Sequence, residues 1–533
     1  MKSKKELATS NPPEGKKFTR RETLKFAAAG TVMAAGGLVL PGLAQAATPK
    51  KGGHLRIGVR GGSVSDSLDP ATFSDVFMRT VGYGTSNTLV GISGEDKLVP
   101  ELAESWEAKP GASEWVFNIR KGVEFHSGKT LDADDIIVSI QHHRGDDSKS
   151  GMKSLLKAVK DIRKDGPNKV IFTLEGGNAD FPYVFTDYRL MIMAQKDGKL
   201  DWQGGVGTGG YVLKSFEPGV RCVLERNPNY WRGGERAFVD SAEILTIPDV
   251  NSRQTALING DIDIIDQVDL KTVHLLKRQS GIEVADTAGA LHYTYPMNTQ
   301  AAPFDNNDVR LAVKYALDRK ELLEKVLHGY GTLGNDHPVA PGHQFFAADL
   351  EQRHYDPDKS KFHLKKAGMT RAEISLSVSD FLYAGAVDGA LLYKERAAKA
   401  GIDLNVVREP SDGYFSNVWK KKPFVASYWG ARPTADLILT VGYASGGSWN
   451  DSYFEHERFN KLLVEARSEL NQAKRAEMYH DMQVILRDEG GTVIPLFANN
   501  VFAMSKKIGH PASMAGNWEL DGGRSIERWW FQS

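Results

Sequence analysis

Between residues 424 and 450 the chain reads FVASYWGARPTADLILTVGYASGGSWN. The apolar start suits a short strand, and the residues around Gly430 and Pro433 suit a turn. At that turn an aromatic pair, Tyr428 and Trp429, meets a cation, Arg432, and then a carboxylate, Asp436, with Tyr443 and Trp449 following as further rings. Aromatic faces supply apolar walls and stacking, while one acid and one base fix orientation through charge-assisted hydrogen bonds. That combination suits a small zwitterion or a short peptide. Plain structural uses stand beside it. Asp436 precedes Leu437-Ile438-Leu439, where it can cap a helix by accepting from backbone N–H groups, and Arg432 can pair with Asp436 instead of with a ligand.

Other chemistries lack their parts. The chain contains no HExxH, GxSxG, Walker loop or CxxC, so neither an enzymatic activity nor a cofactor is expected. Gly205, Gly207 and Gly210 fit GxGxxG, yet a dinucleotide-binding turn leaves a strand and opens a helix. Here polar residues precede, and an alternating run (Tyr211, Leu213, Phe216) follows. Pro218-Gly219 and a second alternating run (Val220, Cys222, Leu224) make the stretch a β-hairpin. His142 and His143 are adjacent and therefore point apart on a helix. His292, His337 and His343 lack ligand spacing, so no metal is expected.

The elements that would position such a site are legible in part. His54, Arg56 and Gly58 alternate with Leu55, Ile57 and Val59 as a first strand, and a Gly/Ser/Asp loop then leads to a helical stretch from residue 75. Residues 308–328 keep helical apolar spacing. Farther on, Ile374-Leu376-Val378, a helix near Gly389–Ala400, and Ile402-Leu404-Val406 predict a β-α-β unit with parallel strands. Helices are expected over 457–470 and 472–488, with a short apolar strand over 492–497.

Composition excludes several classes. With 41% hydrophobic and 25% charged residues the chain can bury several cores and is not of the disordered type. Arg20-Arg21, the apolar run over 26–40 and Ala44-Gln45-Ala46 read as a twin-arginine export signal cut after Ala46. Its removal leaves 59 Lys and Arg against 64 Asp and Glu, about −5, so nucleic acid is not an expected partner. Cys222 is the only cysteine and is expected to be a buried free thiol.

The hairpin stretch GTGGYVLKSFEPGVRCVLERNPNYW (207–231) closely resembles a signature of the bacterial extracellular solute-binding proteins that serve peptide, nickel and opine ABC transporters. So do WVFNIRKGVEFHSGKTLDADDI (115–136), ALINGDIDII (256–265), PMNTQAAPFDNNDVRLAVKYALDR (296–319) and YDPDKSKFHLKKAG (355–368). Gly210 departs from the proline usual there. The resemblance implies an α/β, two-lobed periplasmic-binding-protein fold of type II with an extra subdomain and the ligand between lobes. The expected division is 1–46 signal, 47–90 first lobe, 91–200 extra subdomain, 201–297 first lobe, 298–489 second lobe and 490–533 first lobe.

It further implies a soluble periplasmic monomer that closes on its ligand and then docks on permease subunits with a separate ATPase. Trp429 would pack on ligand and Asp436 would take an ammonium group, with Phe77 and Met78 on the cleft wall. The ligand expected is a short peptide or a peptide-like, opine-like small zwitterion. A nickel chelate, a sensory receptor and an exported enzyme are the alternatives. N-terminal sequencing of the exported protein is expected to begin at Ala47.

Overall fold

The computed structural model describes residues 49–447 and 449–532; the signal expected over residues 1–46 lies outside them. Among the described residues no helix is long and apolar enough to cross a membrane.

The hairpin forms as the alternation predicts, Tyr211–Glu217 antiparallel to Arg221–Arg226, with Gly219 in the left-handed region at the turn (φ +70°). The glycines before it have a packing role. A Cβ on Gly207 would lie 2.3 Å from the Thr85 carbonyl oxygen, and the Gly209 N–H donates to that same oxygen at 2.9 Å. Glycine therefore lets this loop press on the C-terminal end of the helix Val76–Thr85, a close approach any side chain would block. His126 joins in: its backbone N–H donates to Gly207 O and its Nε2 to Gly209 O at 3.0 Å.

The hairpin is the edge of one ten-stranded sheet. Inward from it come Ser241–Thr246, His54–Val59 and Ile264–Ile265, mutually parallel, then Leu496–Ser505, Ile282–Pro296 and finally Ser427–Trp429. Helix Val76–Thr85 packs on this sheet, closing a core of Leu55, Ile57, Tyr211, Leu224 and Phe502. Cys222 is buried in it, and burial pushes its thiol up to about 12.

A four-stranded antiparallel sheet, ordered Ala103–Ala108, Glu114–Ile119, Lys169–Leu174, Val159–Lys164, has its own core drawn from residues 89–194. Phe117, Phe172, Phe181 and Phe185 fill it, with ring centroids 4.9 to 6.4 Å apart. In the second lobe the predicted unit is present: Ala372–Val378 pairs in parallel with Ile402–Arg408 across the helix Ala386–Lys399. Val425 continues that sheet by a parallel bridge to Ser377.

Two strands run through both lobes. Ile282–Pro296 and Leu496–Ser505 pair antiparallel, with a register shift between Thr287 and Leu291. Val284 and Ala285 pack with first-lobe cores, while Leu291, Tyr293 and Tyr295 pack with the second lobe's. The subdomain also touches the second lobe. The Ala179 N–H donates to Arg467 O at 2.7 Å, and Arg475 of the helix Gln472–Asp488 pairs with Asp180 at 2.6 Å, both side chains nearly buried. Removing one partner of a buried pair strands the other charge, so Arg475→Ala is expected to cost about 3–5 kcal/mol in urea unfolding. The double change Asp180→Asn with Arg475→Gln should cost less.

Candidate functional site

In open α/β sheets ligands bind beyond the carboxyl ends of the parallel strands. In the second lobe those ends are Val378 and Arg408, and the segment that makes the parallel bridge from Val425 to Ser377 runs on into Ser427–Trp429, itself antiparallel to Ile282–Pro296. The strand Ser427–Trp429 alternates, so its two aromatics part. Tyr428, 37% exposed, lies opposite Tyr293 in the ladder, on the side where Tyr383 stacks on Tyr293 at 3.6 Å. Trp429 lies opposite His292 and is only 5% exposed. Its ring rests on Gly442 of the helix Ala435–Tyr443, where a Cβ would come within 3.2 Å of it. Trp429 is thus largely a core residue with one edge free. Trp449 is 47% exposed and meets that ring at 5.9 Å between centroids.

Arg432 is also brought to Trp429, its guanidinium 5.7 Å from the ring centre. It donates to the Gly430 and Ala431 carbonyls at 3.1 Å. Among the described residues no carboxylate is ion-paired with it. Burial lowers its pKa, which measures how poorly the cation is solvated there. The pairing with Asp436 considered from sequence is absent. Asp436 belongs to the first turn of the helix, but Thr434 is the cap, its Oγ1 accepting from Leu437 N–H at 3.1 Å. Asp436 instead accepts from Arg467 Nε at 3.0 Å. Burial raises its pKa, and Arg467 opposes the rise. An ammonium group of a ligand would have to compete with Arg467 for it.

Phe77 and Met78, expected on the cleft wall, are buried in the first-lobe core, Phe77 stacked on Phe216 at 6.2 Å, in a helix Val76–Thr85 whose residues are all buried. Tyr443 is buried in the core beneath Trp429.

Two groups escaped the sequence reading. Asp451 is buried, its carboxylate accepts from the indole N–H of Trp419 at 3.0 Å, and the Trp429 indole lies beside it. The other group lies at the carboxyl ends of the first-lobe strands. Arg60 follows the strand His54–Val59 and donates to Glu519 at 3.1 Å and Gln267 at 2.5 Å. Arg79 pairs with Glu519 at 2.9 Å and lies 4.6 Å over Trp518. Burial works against the Glu519 charge, but Arg79 and Arg60 overcome it and hold its pKa below the usual range. An arginine directly after an alternating strand was the available signal for Arg60; nothing local marks Glu519 or Asp451.

No three His, Cys, Asp or Glu side chains gather as metal ligands among the described residues. His292 and His337 are buried and His343 is half-buried, and desolvation pulls all three down to about 4.

With this geometry in view, comparison with known proteins adds the following. The model of the bacterial extracellular solute-binding proteins, family 5 (middle region), matches residues 97–451. Heme-binding protein A of Haemophilus influenzae is 28% identical over 432 residues, 74% of this chain and 78% of that protein. The probable D,D-dipeptide-binding periplasmic protein DdpA of Escherichia coli is 26% identical over 468 residues, 83% and 88% respectively. The solved structure of HbpA2 from Haemophilus parasuis has a TM-score of 0.79 and 21% identity, covering 88% of this chain and 99% of that one. The fold is the two-lobed, type II periplasmic-binding-protein fold.

The three histidines give a signed pH dependence. Above the ordinary value of 6.5 they are neutral in both states and carry no penalty. Below it the unfolded chain binds protons that the folded chain refuses until about pH 4, so their contribution is lost as pH falls from 6.5 to 4. Asp451, pushed up to about 6, acts oppositely: its contribution is present below 3.8 and lost as pH rises through 6. A His337→Met variant is expected to lose less unfolding free energy than the parent between pH 6.5 and 4.5, by urea titration.

Proposed function

The chain belongs to the bacterial extracellular solute-binding proteins of family 5, and on that premise we propose that it is the periplasmic receptor of an ABC importer for a short peptide or a peptide-like, opine-like small zwitterion. Members of this family bind ligands and work with ABC permeases, and they are binding proteins rather than enzymes. The chain would be exported through the twin-arginine route, cut after Ala46 and act as a monomer. Ligand entering the open cleft contacts both lobes and stabilises the closed form by its higher affinity for it. The closed form then docks on the permease, whose separate ATPase supplies the energy.

The observation that carries the ligand reading is Arg432. A poorly solvated guanidinium with no carboxylate partner among the described residues, set against Trp429 at a strand's carboxyl end, is completed by an anionic group such as a peptide C-terminus. The D,D-dipeptide-binding relative supports the same class by its name. Trp449 would add a wall, and Asp436 the ammonium contact if Arg467 shares it.

A thermal-shift screen of residues 47–533 against dipeptides, tripeptides, opines and nickel chelates tests this, because binding to the native state raises the melting temperature. Peptides or opines should give the shift. Arg432→Gln should weaken their binding at least tenfold, about 1.4 kcal/mol, with the unliganded melting temperature unchanged. Silence across peptides and opines, with a shift from nickel chelates, would overturn the reading. Trp429→Ala is a poorer probe, since its burial predicts a stability loss of about 3–5 kcal/mol.

A further inference from the structure

The loops at the carboxyl ends of the second-lobe strands are aromatic beyond what Trp429 requires. Phe381 follows the strand Ala372–Val378, and Phe415 lies in the short helix Tyr414–Asn417 that follows Ile402–Arg408. They are 42% and 44% exposed, and they stand edge to face at 5.6 Å and 89°. The two form a right-angled corner in which both rings are exposed.

The corner has a fixed base. Buried Tyr414 backs both rings, at 5.6 Å from Phe381 and 5.9 Å from Phe415. Its hydroxyl bonds the Ser377 and Ala426 carbonyls at 3.1 and 2.8 Å, tying it to two neighbouring strands. The corner is also continuous with the site already described. Phe415 meets Trp419 edge on at 5.8 Å, and Trp419 donates at 3.0 Å to Asp451, whose carboxylate lies beside the Trp429 indole. A polar rim closes the far side, where Arg408 Nε donates to Asp380 at 2.7 Å.

We propose that Phe381 and Phe415, based on Tyr414 and joined through Trp419 to the Trp429–Arg432 site, form a subsite for an aromatic ring of the ligand. An L-shaped pair of exposed rings offers an incoming ring one face and one edge at once, the two arrangements aromatic pairs favour. The transported molecule is therefore an anionic, peptide-like compound with an aromatic side group. This rests on the proposed receptor function and narrows its substrate class.

The test is titration calorimetry of residues 47–533 with Ala-Phe, Ala-Trp and Ala-Ala, and with a naphthalene dicarboxylate as a planar anion that is not a peptide. The aromatic dipeptides should bind at least tenfold more tightly than Ala-Ala. The double change Phe381→Ser with Phe415→Ser should abolish that preference and leave Ala-Ala within twofold of the parent. Phe381→Leu, which keeps apolar volume without a ring face, controls for folding and should lose part of the preference.

Equal affinity for all three dipeptides would overturn the subsite while leaving the peptide reading intact. Equal weakening of all three in the double variant would also overturn it, since the rings would then serve lobe closure. Binding of the naphthalene dicarboxylate alone, lost in the double variant, would sustain the subsite and overturn the peptide reading. Failure of every probe would overturn both.

Discussion

The structure hangs on one antiparallel ladder. Ile282–Pro296 and Leu496–Ser505 hydrogen-bond to each other while their side chains feed first-lobe cores at one end and second-lobe cores at the other. Backbone pairing cannot be given up in a buried strand without stranding polar groups. The lobes are thereby fixed to a common sheet, and the ladder is irregular between Thr287 and Leu291, where the register shifts. A second tie crosses outside the sheet, where Asp180 and Ala179 of the subdomain meet Arg475 and the Arg467 carbonyl. Arg467 uses its side chain for Asp436, so the helix beside the ligand segment and the subdomain contact share one residue.

Charge accounting separates binding residues from supporting ones. Asp436, Glu519 and Asp180 are all compensated by arginines, and such pairs mainly hold elements together. Arg432 differs: its partners are neutral carbonyls and an aromatic face. A charge desolvated without a counterion costs free energy in the empty protein and is relieved when an anion arrives, which favours the ligand-bound form. Asp451 bears on orientation too, since it takes the indole N–H of Trp419 and so fixes the plane of that ring.

Local patterns read well and long-range ones did not. Alternation and a Pro-Gly turn were enough for the hairpin, and alternation with a helical interval was enough for the parallel pair 372–378 and 402–408, because both depend on near neighbours in the chain. The glycines at 205, 207 and 210 were legible as a non-nucleotide loop, but the packing of Gly207 and Gly209 on Thr85 was not, since that contact spans over a hundred residues. Phe77 and Met78 have the right chemistry for a wall, but the helix that carries them is buried along its whole length, which residue type alone does not show.

The sequence by itself determined the class: family motifs in order, the β-hairpin and β-α-β units, and an aromatic, arginine-bearing turn at 428–432. The tertiary structure alone decided which of those residues are available. It paired Asp436 with Arg467, left Arg432 without a counterion among the described residues, turned Tyr428 and Trp429 to opposite sides, and brought Phe381 to Phe415 and Trp419 from another loop. The physical reason is common to all four. Solvation and pairing of a side chain depend on what packs beside it, and in an α/β lobe those neighbours arrive from strands and loops distant in sequence.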